Sequence, residues 1–167
     1  KIKLDLNSEQ NILNMLMESS SISEDQMSKI NANSKEIGKT KLETAIELNF
    51  TDETKIQKIL STNYSIELIS LEKKVIDPKI KKIIDLRYIQ DNLLVPFEKG
   101  EGVLKIAIAD ASKLGLMKNL KTMTKMEPEL YAATISDIND FIERMSRMDT
   151  KKISSANVKV EKIEKNK

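Results

Sequence analysis

The sequence predicts an α+β protein, in which a helical lobe of two repeated helix–turn–helix units precedes a small lobe with a three-stranded sheet and packed helices. Three observations support this prediction. Up to Tyr64 the apolar residues recur at helical spacing. Residues 99–102 contain two glycines and separate two apolar runs, which is typical of a β-hairpin. Residues 134–148 place apolar side chains on one helical face and would close the second lobe.

Two helices are predicted at the start of the chain. The apolar side chains of residues 8–17 share one helical face. Ser23 suits the N-cap of a second helix, because a serine oxygen can accept a hydrogen bond from an amide of the first turn that has no partner within the helix. The acids Glu24 and Asp25 follow it and would stabilise the positive end of that helix.

The helical pattern recurs after a shift of 29 residues. The shift aligns Leu13 with Leu42 and Ser23 with Asp52. A capping residue followed by an acid therefore occurs at the same position in both copies of the pattern. Repeats of this length indicate paired supersecondary units, so we interpret residues 8–63 as a duplicated helix–turn–helix unit of about four helices.

The second lobe is predicted mainly from its prolines and glycines. Pro78 follows Asp77 and suits the first turn of a helix. Amides in that turn make no hydrogen bond within the helix, so proline's lack of an amide hydrogen costs nothing there. Pro96 places its strand at a sheet edge or a bulge, because proline cannot donate to a strand ladder. The expected elements are a strand or extended linker at 66–71, a helix from 77 to about 86, hairpin strands at 93–97 and 103–109, a helix at 110–124, a third strand at 128–133 and a helix at 134–148.

These elements divide the chain into three parts. The helical repeat lobe covers residues 8–63, and the α+β lobe with a ββαβα core covers residues 64–148. Residues 149–167 are rich in lysine and poor in apolar residues, so we expect a flexible tail or linker there. If these residues are a linker, the chain is expected to be a fragment of a longer protein. A free-standing relative of the same family is the alternative.

The composition excludes several kinds of active site. The 167 residues include no Cys and no His, which removes thiolate nucleophiles, zinc–thiolate sites and histidine bases. We predict no catalytic residue, no metal site and no cofactor in this chain. The net charge of +2 gives no general attraction to nucleic acid or anionic membranes, and no apolar stretch is long enough to span a bilayer. Neither nucleic-acid binding nor membrane insertion is expected.

Two short motifs imitate binding sites. Residues 38–40 resemble the end of a phosphate-binding loop, but that motif needs a glycine where Asn33 stands and a strand before it. A polar turn with Gly38 as a helix C-cap is the favoured interpretation. The acidic pairs at 24–25 and 52–53 could be offered as metal ligands, but acids at helix starts usually serve the helix macrodipole.

The order of parts in the second lobe resembles a known family. The resemblance rests on the helix start at Asp77 and Pro78, the hairpin sequence LLVPFEKGEGVLKIAIAD and the closing helix sequence ISDINDFIERM. Together they are similar to the N-terminal domain of type II secretion and type IV pilus assembly ATPases. The strand end departs from the family pattern at Ala111, where members usually carry proline. The resemblance covers roughly residues 9–148.

In some members of that family the paired helical repeat binds cyclic di-GMP. Their motif begins with an Arg and a Gly, has a second Gly seven residues after the first, and ends with a Gln. Arginine can pair with a phosphate or a guanine edge, and glycine lets the backbone approach the ligand. The corresponding positions here are Asn11 and Thr40 for Arg, Leu13 and Leu42 for the first Gly, Ser20 and Asn49 for the second Gly, and Ser34 and Asn63 for Gln. Because two arginine contacts of about 1.5–3 kcal/mol each are missing, we expect no specific cyclic di-GMP binding.

The resemblance implies a docking or regulatory domain without catalysis of its own. It implies that the domain couples a motor to the cytoplasmic domain of an inner-membrane secretion or pilus assembly protein, with the ATPase domain downstream in the same parent chain. The implied location is the cytoplasm, and recruitment to the inner face of the cytoplasmic membrane is left open. A nucleotide-sensing domain that binds cyclic di-GMP or another ligand through a divergent motif is the alternative.

Overall fold

The protein is seen in a computed structural model that describes residues 4–148, so the tail predicted at 149–167 lies outside the described residues. The α+β class is confirmed. The elements in chain order are α1 (Leu6–Glu18), α2 (Glu24–Ile37), α3 (Lys41–Glu47), α4 (Glu53–Tyr64), β1 (Glu67–Leu68), α5 (Pro78–Ile83), α6 (Leu86–Asn92), β2 (Val95–Lys99), β3 (Val103–Ile108), a 3-10 helix (Ala111–Leu116), α7 (Met117–Thr124), β4 (Glu127–Ala132) and α8 (135–148).

The helical repeat is visible in the geometry of its turns. Ser20 follows α1 with φ 60°, and Asn49 follows α3 with φ 61°. The amide of Ser20 donates to the Met17 carbonyl and the amide of Asn49 donates to the Ile46 carbonyl, both at 3.0 Å. Each turn therefore closes in the same way at positions 29 residues apart, which confirms the paired helix–turn–helix units.

The predicted helix caps are also present. Ser23 begins α2 with a capping box, in which its side chain accepts from the Gln26 amide and the Gln26 side chain accepts from the Ser23 amide. Asp52 begins α4 by accepting from the Lys55 amide at 2.8 Å. Gly38 ends α2 with φ 67°, a left-handed conformation that glycine adopts without strain. The local signals in the sequence are sufficient for these boundaries.

The sheet contains a fourth strand in addition to the three that the sequence predicts. The strand order is β1-β4-β3-β2, with β2 antiparallel to β3 and the other two pairs parallel. The additional strand β1 falls in the 66–71 segment, which the sequence left open between strand and linker. Pro96 lies on the edge strand β2, which confirms the edge position, and the register of β2 shifts between Pro96 and Glu98.

The single helix predicted from residue 77 is wrong, because the structure divides it. α5 ends at Ile83, and Ile84 is extended with its side chain fully buried. Asp85 then begins α6, which the sequence did not predict. Leu93 ends α6 with φ 52°, so the strand begins at Val95 rather than at residue 93. The break places the Ile84 side chain in the core. The interruption of the helix is therefore stabilised by tertiary packing, which outweighs local helix propensity.

One apolar core cluster includes residues of both predicted lobes. Leu16 of α1 and Ile106 of β3 are fully buried members of it. Polar contacts also join the two halves, since the Gln57 side chain of α4 donates to the Ala132 carbonyl of β4 at 2.8 Å. The division into domains at residues 63 and 64 stays a prediction. Across residues 4–148, every helix is too short or too polar to cross a bilayer.

Asp5 links the start of α1 to a buried lysine. Its carboxylate accepts from the Ser8 amide at 2.7 Å and lies 3.4 Å from Nζ of Lys113. Burial of Asp5 acts to raise its pKa, but the hydrogen bond from Ser8 and the charge of Lys113 outweigh burial, so the pKa of Asp5 is lowered. A carboxylate with a lowered folded pKa stabilises the fold above the unfolded pKa of about 3.9, and that stabilisation is lost as the pH falls through the folded pKa.

We expect Asp5→Asn to reduce the free energy of unfolding at pH 7 by about 0.5–1 kcal/mol, a small value because the Asp5 side chain is half-exposed. Asparagine still caps helices, so the variant removes mainly the charge. The difference from wild type should shrink as the pH is lowered toward 2, as measured by urea unfolding at several pH values. Asp91→Asn, on the exposed face of α6, is the control. A difference that stays constant with pH would contradict the assignment.

Candidate functional site

A groove of about 710 Å³ opens where the start of α1, the end of α2 and the start of α3 meet. Its lining includes Leu6 and Glu9 of α1, Ser34 of α2 and Thr40 ahead of α3. We call it the α1–α3 groove. It brings together two of the eight positions that the sequence assigned to the degenerate ligand motif, namely Ser34 and Thr40.

The two positions that correspond to arginine hold short side chains that bond within the fold. Asn11 Oδ1 accepts from the Ala111 amide at 3.1 Å and ties α1 to the 3-10 helix. Thr40 Oγ1 accepts from the Glu43 amide at 3.1 Å and caps α3. Neither contact requires a ligand, and neither side chain carries the positive charge that recognises phosphate.

The first glycine positions are filled by core side chains. Leu13 and Leu42 are both fully buried members of the apolar core. A glycine at such a position would leave space for another molecule to approach the backbone. Here the leucine side chains occupy that space and pack against the rest of the protein.

The second glycine positions keep a glycine-like backbone. Ser20 and Asn49 both have left-handed φ values, and both side chains are exposed. Neither residue lines the α1–α3 groove. Of the two glutamine positions, Ser34 is buried and its hydroxyl donates to the Asn31 carbonyl at 3.2 Å, whereas Asn63 is exposed on the last turn of α4.

Glu9 is a groove residue that the sequence analysis missed. Its side chain is buried, and Oε1 accepts from the Leu42 amide at 3.3 Å. The sequence carried a signal for it, because Glu9 precedes Ile12 and Leu13 by three and four residues and so shares their buried face. A carboxylate of α1 is thereby fixed at the start of α3.

Three lysines also line the groove. Lys39 lies 2.6 Å from Glu47, and the hydrogen bond and charge of Glu47 raise the pKa of Lys39. Lys35 and Lys41 make no ion pair with any residue between 4 and 148. Lys41 occupies the first position of α3, where a cation opposes the helix macrodipole. The first positions of α2 and α4 are instead Glu24 and Glu53.

The other motifs from the sequence have structural roles. Gly38 caps α2, so residues 38–40 follow a helix and lack the strand of a phosphate-binding loop. Glu53 accepts from the amide and hydroxyl of Ser136 at 2.6 and 2.7 Å, which joins α4 to the start of α8. In the described part of the chain no group of acidic side chains is arranged to hold a metal ion.

Solved structures resemble this fold over most of the chain. The structure of MshE with cdg (cyclic di-GMP) matches with a TM-score of 0.59 and 21% identity, over 80% of this chain and 96% of that one. The N-terminal domain of XpsE matches with a TM-score of 0.58 and 19% identity, over 85% of this chain and 98% of that one. At these identities the likeness shows the fold alone.

Sequence comparison identifies the family. The chain is 27% identical over 106 residues to the type IV pilus assembly ATPase PilB of Myxococcus xanthus, which covers 63% of this chain and 19% of that relative. The match thus spans about a fifth of the length of PilB. The MshEN domain family matches residues 64–152. The chain therefore belongs to the MshEN domain family, and the resemblance to the N-terminal domains of type II secretion and type IV pilus assembly ATPases is confirmed.

Proposed function

We propose that this chain is a non-catalytic docking domain that couples a secretion or type IV pilus assembly ATPase to the cytoplasmic part of an inner-membrane assembly protein. The ATPase domain would follow in the same parent chain, and the match to a small part of PilB supports that arrangement. The domain would work in the cytoplasm, at the inner face of the membrane when its partner is bound.

One observation favours docking over ligand sensing. Leu13 and Leu42, at both positions where the cyclic di-GMP motif has its first glycine, are buried in the core. The repeat therefore uses these positions for packing. A helical repeat without ligand contacts still presents helix ends and faces that a partner protein can bind.

Docking is tested with the purified chain and the cytoplasmic domain of the inner-membrane assembly protein from the same organism. We expect saturable binding in biolayer interferometry, with micromolar or tighter affinity. The assembly protein of an unrelated secretion system serves as the control surface. No binding, or equal binding to both surfaces, would contradict docking.

A second candidate function is the sensing of a cyclic dinucleotide through a divergent motif. It is favoured by the presence of Ser34, Thr40 and three lysines along one groove. We expect calorimetric titration with cyclic di-GMP to give no binding heat up to about millimolar concentrations, because the arginine and glycine contacts are missing. MshE titrated in parallel is the positive control. Micromolar affinity in this chain would replace docking by ligand sensing as the proposed function.

A further inference from the structure

We infer that the α1–α3 groove is the contact face of the domain, and that it binds a short polypeptide segment of the partner that carries acidic side chains beside one or two apolar ones. The inference rests on the proposed docking function and names the surface and the chemistry of its partner. Three features of the groove support it: its exposed Leu6 side chain, its lysines and its fixed carboxylate.

One apolar side chain of the groove is unusually exposed, and another exposed apolar side chain lies next to the groove in the chain. Leu6 lines the groove and is 83% exposed. Ile37 lies between the groove residues Lys35 and Lys39 in the chain and is half-exposed. Apolar surface of this kind gains from contact with an apolar partner side chain, since that contact removes it from water. A volume of about 710 Å³ is enough for a few side chains of a bound segment.

The charges of the groove specify an acidic partner. Lys35 and Lys41 have no ion-pair partner within residues 4–148, and Lys41 stands at a helix start, the position where α2 and α4 carry glutamate. The macrodipole makes this the less favourable position for a cation. A carboxylate from a bound segment would complement both lysines and offset that disadvantage.

The fixed carboxylate of Glu9 favours a peptide over a compact anion. Glu9 lines the groove and is buried, with its oxygen held by the Leu42 amide. A phosphate placed deep in the groove would approach this negative charge, which is unfavourable in a partly buried site. A peptide can place apolar side chains near Glu9 and its carboxylates at the outer lysines.

The native chain contains no cysteine, so a single introduced thiol can be labelled selectively. We would attach a benzophenone crosslinker to Leu6→Cys and, as the matched control, to Val75→Cys, because these side chains are 83% and 85% exposed. The probe is the cytoplasmic domain of the inner-membrane assembly protein. We expect the Leu6→Cys label to crosslink to an acidic segment of that domain and the Val75→Cys label to give no such product.

Charge reversal in the same binding assay tests the lysines. We expect Lys35→Glu combined with Lys41→Glu to weaken binding of the partner domain about tenfold at low salt. Lys58→Glu combined with Lys82→Glu changes the net charge equally outside the groove and should weaken binding less than about twofold. Thermal unfolding of both double variants checks that each remains folded.

The outcomes separate this inference from the proposed function. If the partner binds but both double variants weaken it equally, or if the Leu6→Cys label reacts only with its own chain, the groove is not the contact face and docking stands. If no variant and no wild-type protein binds the partner, docking itself fails. If cyclic di-GMP competes with the crosslink, the groove takes a nucleotide and the inference of a peptide segment is overturned.

Discussion

Replacing Leu42 with alanine should lower the free energy of unfolding by about 3–4 kcal/mol, because it opens a cavity in a fully buried part of the core. Leu42→Gly should cost up to about 1 kcal/mol more, since glycine has a lower helix propensity than alanine and Leu42 is the second residue of α3. The loss is measured by urea denaturation followed by circular dichroism. We expect this loss of stability even though the cyclic di-GMP motif has a glycine at this position, because the leucine here packs in the core.

A leucine of the following turn provides the control for that measurement. Leu48 caps the end of α3 and its side chain is exposed. Leu48→Ala should change the free energy of unfolding by less than about 1 kcal/mol. Equal losses for Leu42 and Leu48 would show that the first glycine position of the second repeat is not part of the core. The main reason for preferring docking over ligand sensing would then be removed.

Replacing Arg144 with alanine should lower the free energy of unfolding by about 2–3 kcal/mol and loosen the segment that connects β1 to α5. The guanidinium of Arg144 donates to the carbonyls of Leu71 and Lys74 at 2.8 and 2.9 Å. It also stacks over the Phe141 ring, 4.9 Å from the centroid. Asp137, about two helical turns earlier on α8, accepts from the Leu71 amide at 2.9 Å.

Hydrogen exchange distinguishes this local role from a general loss of stability. In Arg144→Ala, amides of residues 69–76 should exchange faster than those of β3 and β4, because both carbonyls that Arg144 holds belong to that segment. Arg144→Lys keeps the charge but cannot hold two carbonyls with one planar group, so it should lie between alanine and wild type. Arg147→Ala, at an exposed position of the same helix, should change little. Uniformly faster exchange throughout the protein would contradict the proposal that Arg144 holds this segment in place.

The helix boundaries of the repeat could be predicted because their causes are local. Ser23 binds the first turn of its own helix, and Gly38 takes its left-handed conformation within the turn that it forms. Pro96 restricts its strand through its own missing amide. Each of these effects depends on a few neighbouring residues, so the sequence pattern contains the information.

Other elements depend on distant parts of the chain. β1 is a strand because Glu67 and Leu68 pair with Tyr131 and Ala132 of β4. The break between α5 and α6 depends on burial of Ile84. The residues next to these positions carry no signal for the pairing of β1 with β4 or for the burial of Ile84. The sequence analysis therefore left β1 undecided and missed α6.

The candidate site could be predicted only in part, because some of its contacts join residues that are far apart in the chain. The motif comparison supplied its eight positions, of which the groove unites Ser34 and Thr40. The role of Glu9 depends on the approach of α3 to α1, and the role of Glu53 depends on a contact with Ser136. Such contacts join residues far apart in the chain, and a single sequence does not reveal them.

The strand order has a consequence for synthesis on the ribosome. β4 lies between β1 and β3, although it is the last of the four described strands to be made. β1 therefore leaves the ribosome long before its partner exists, and it must wait until residue 132 has emerged. The capping contacts of α2 and α4 lie within a few residues of each helix start, so these helices can begin to form earlier. The sheet is completed late, so a stop codon before β4 would remove its centre rather than trim its edge.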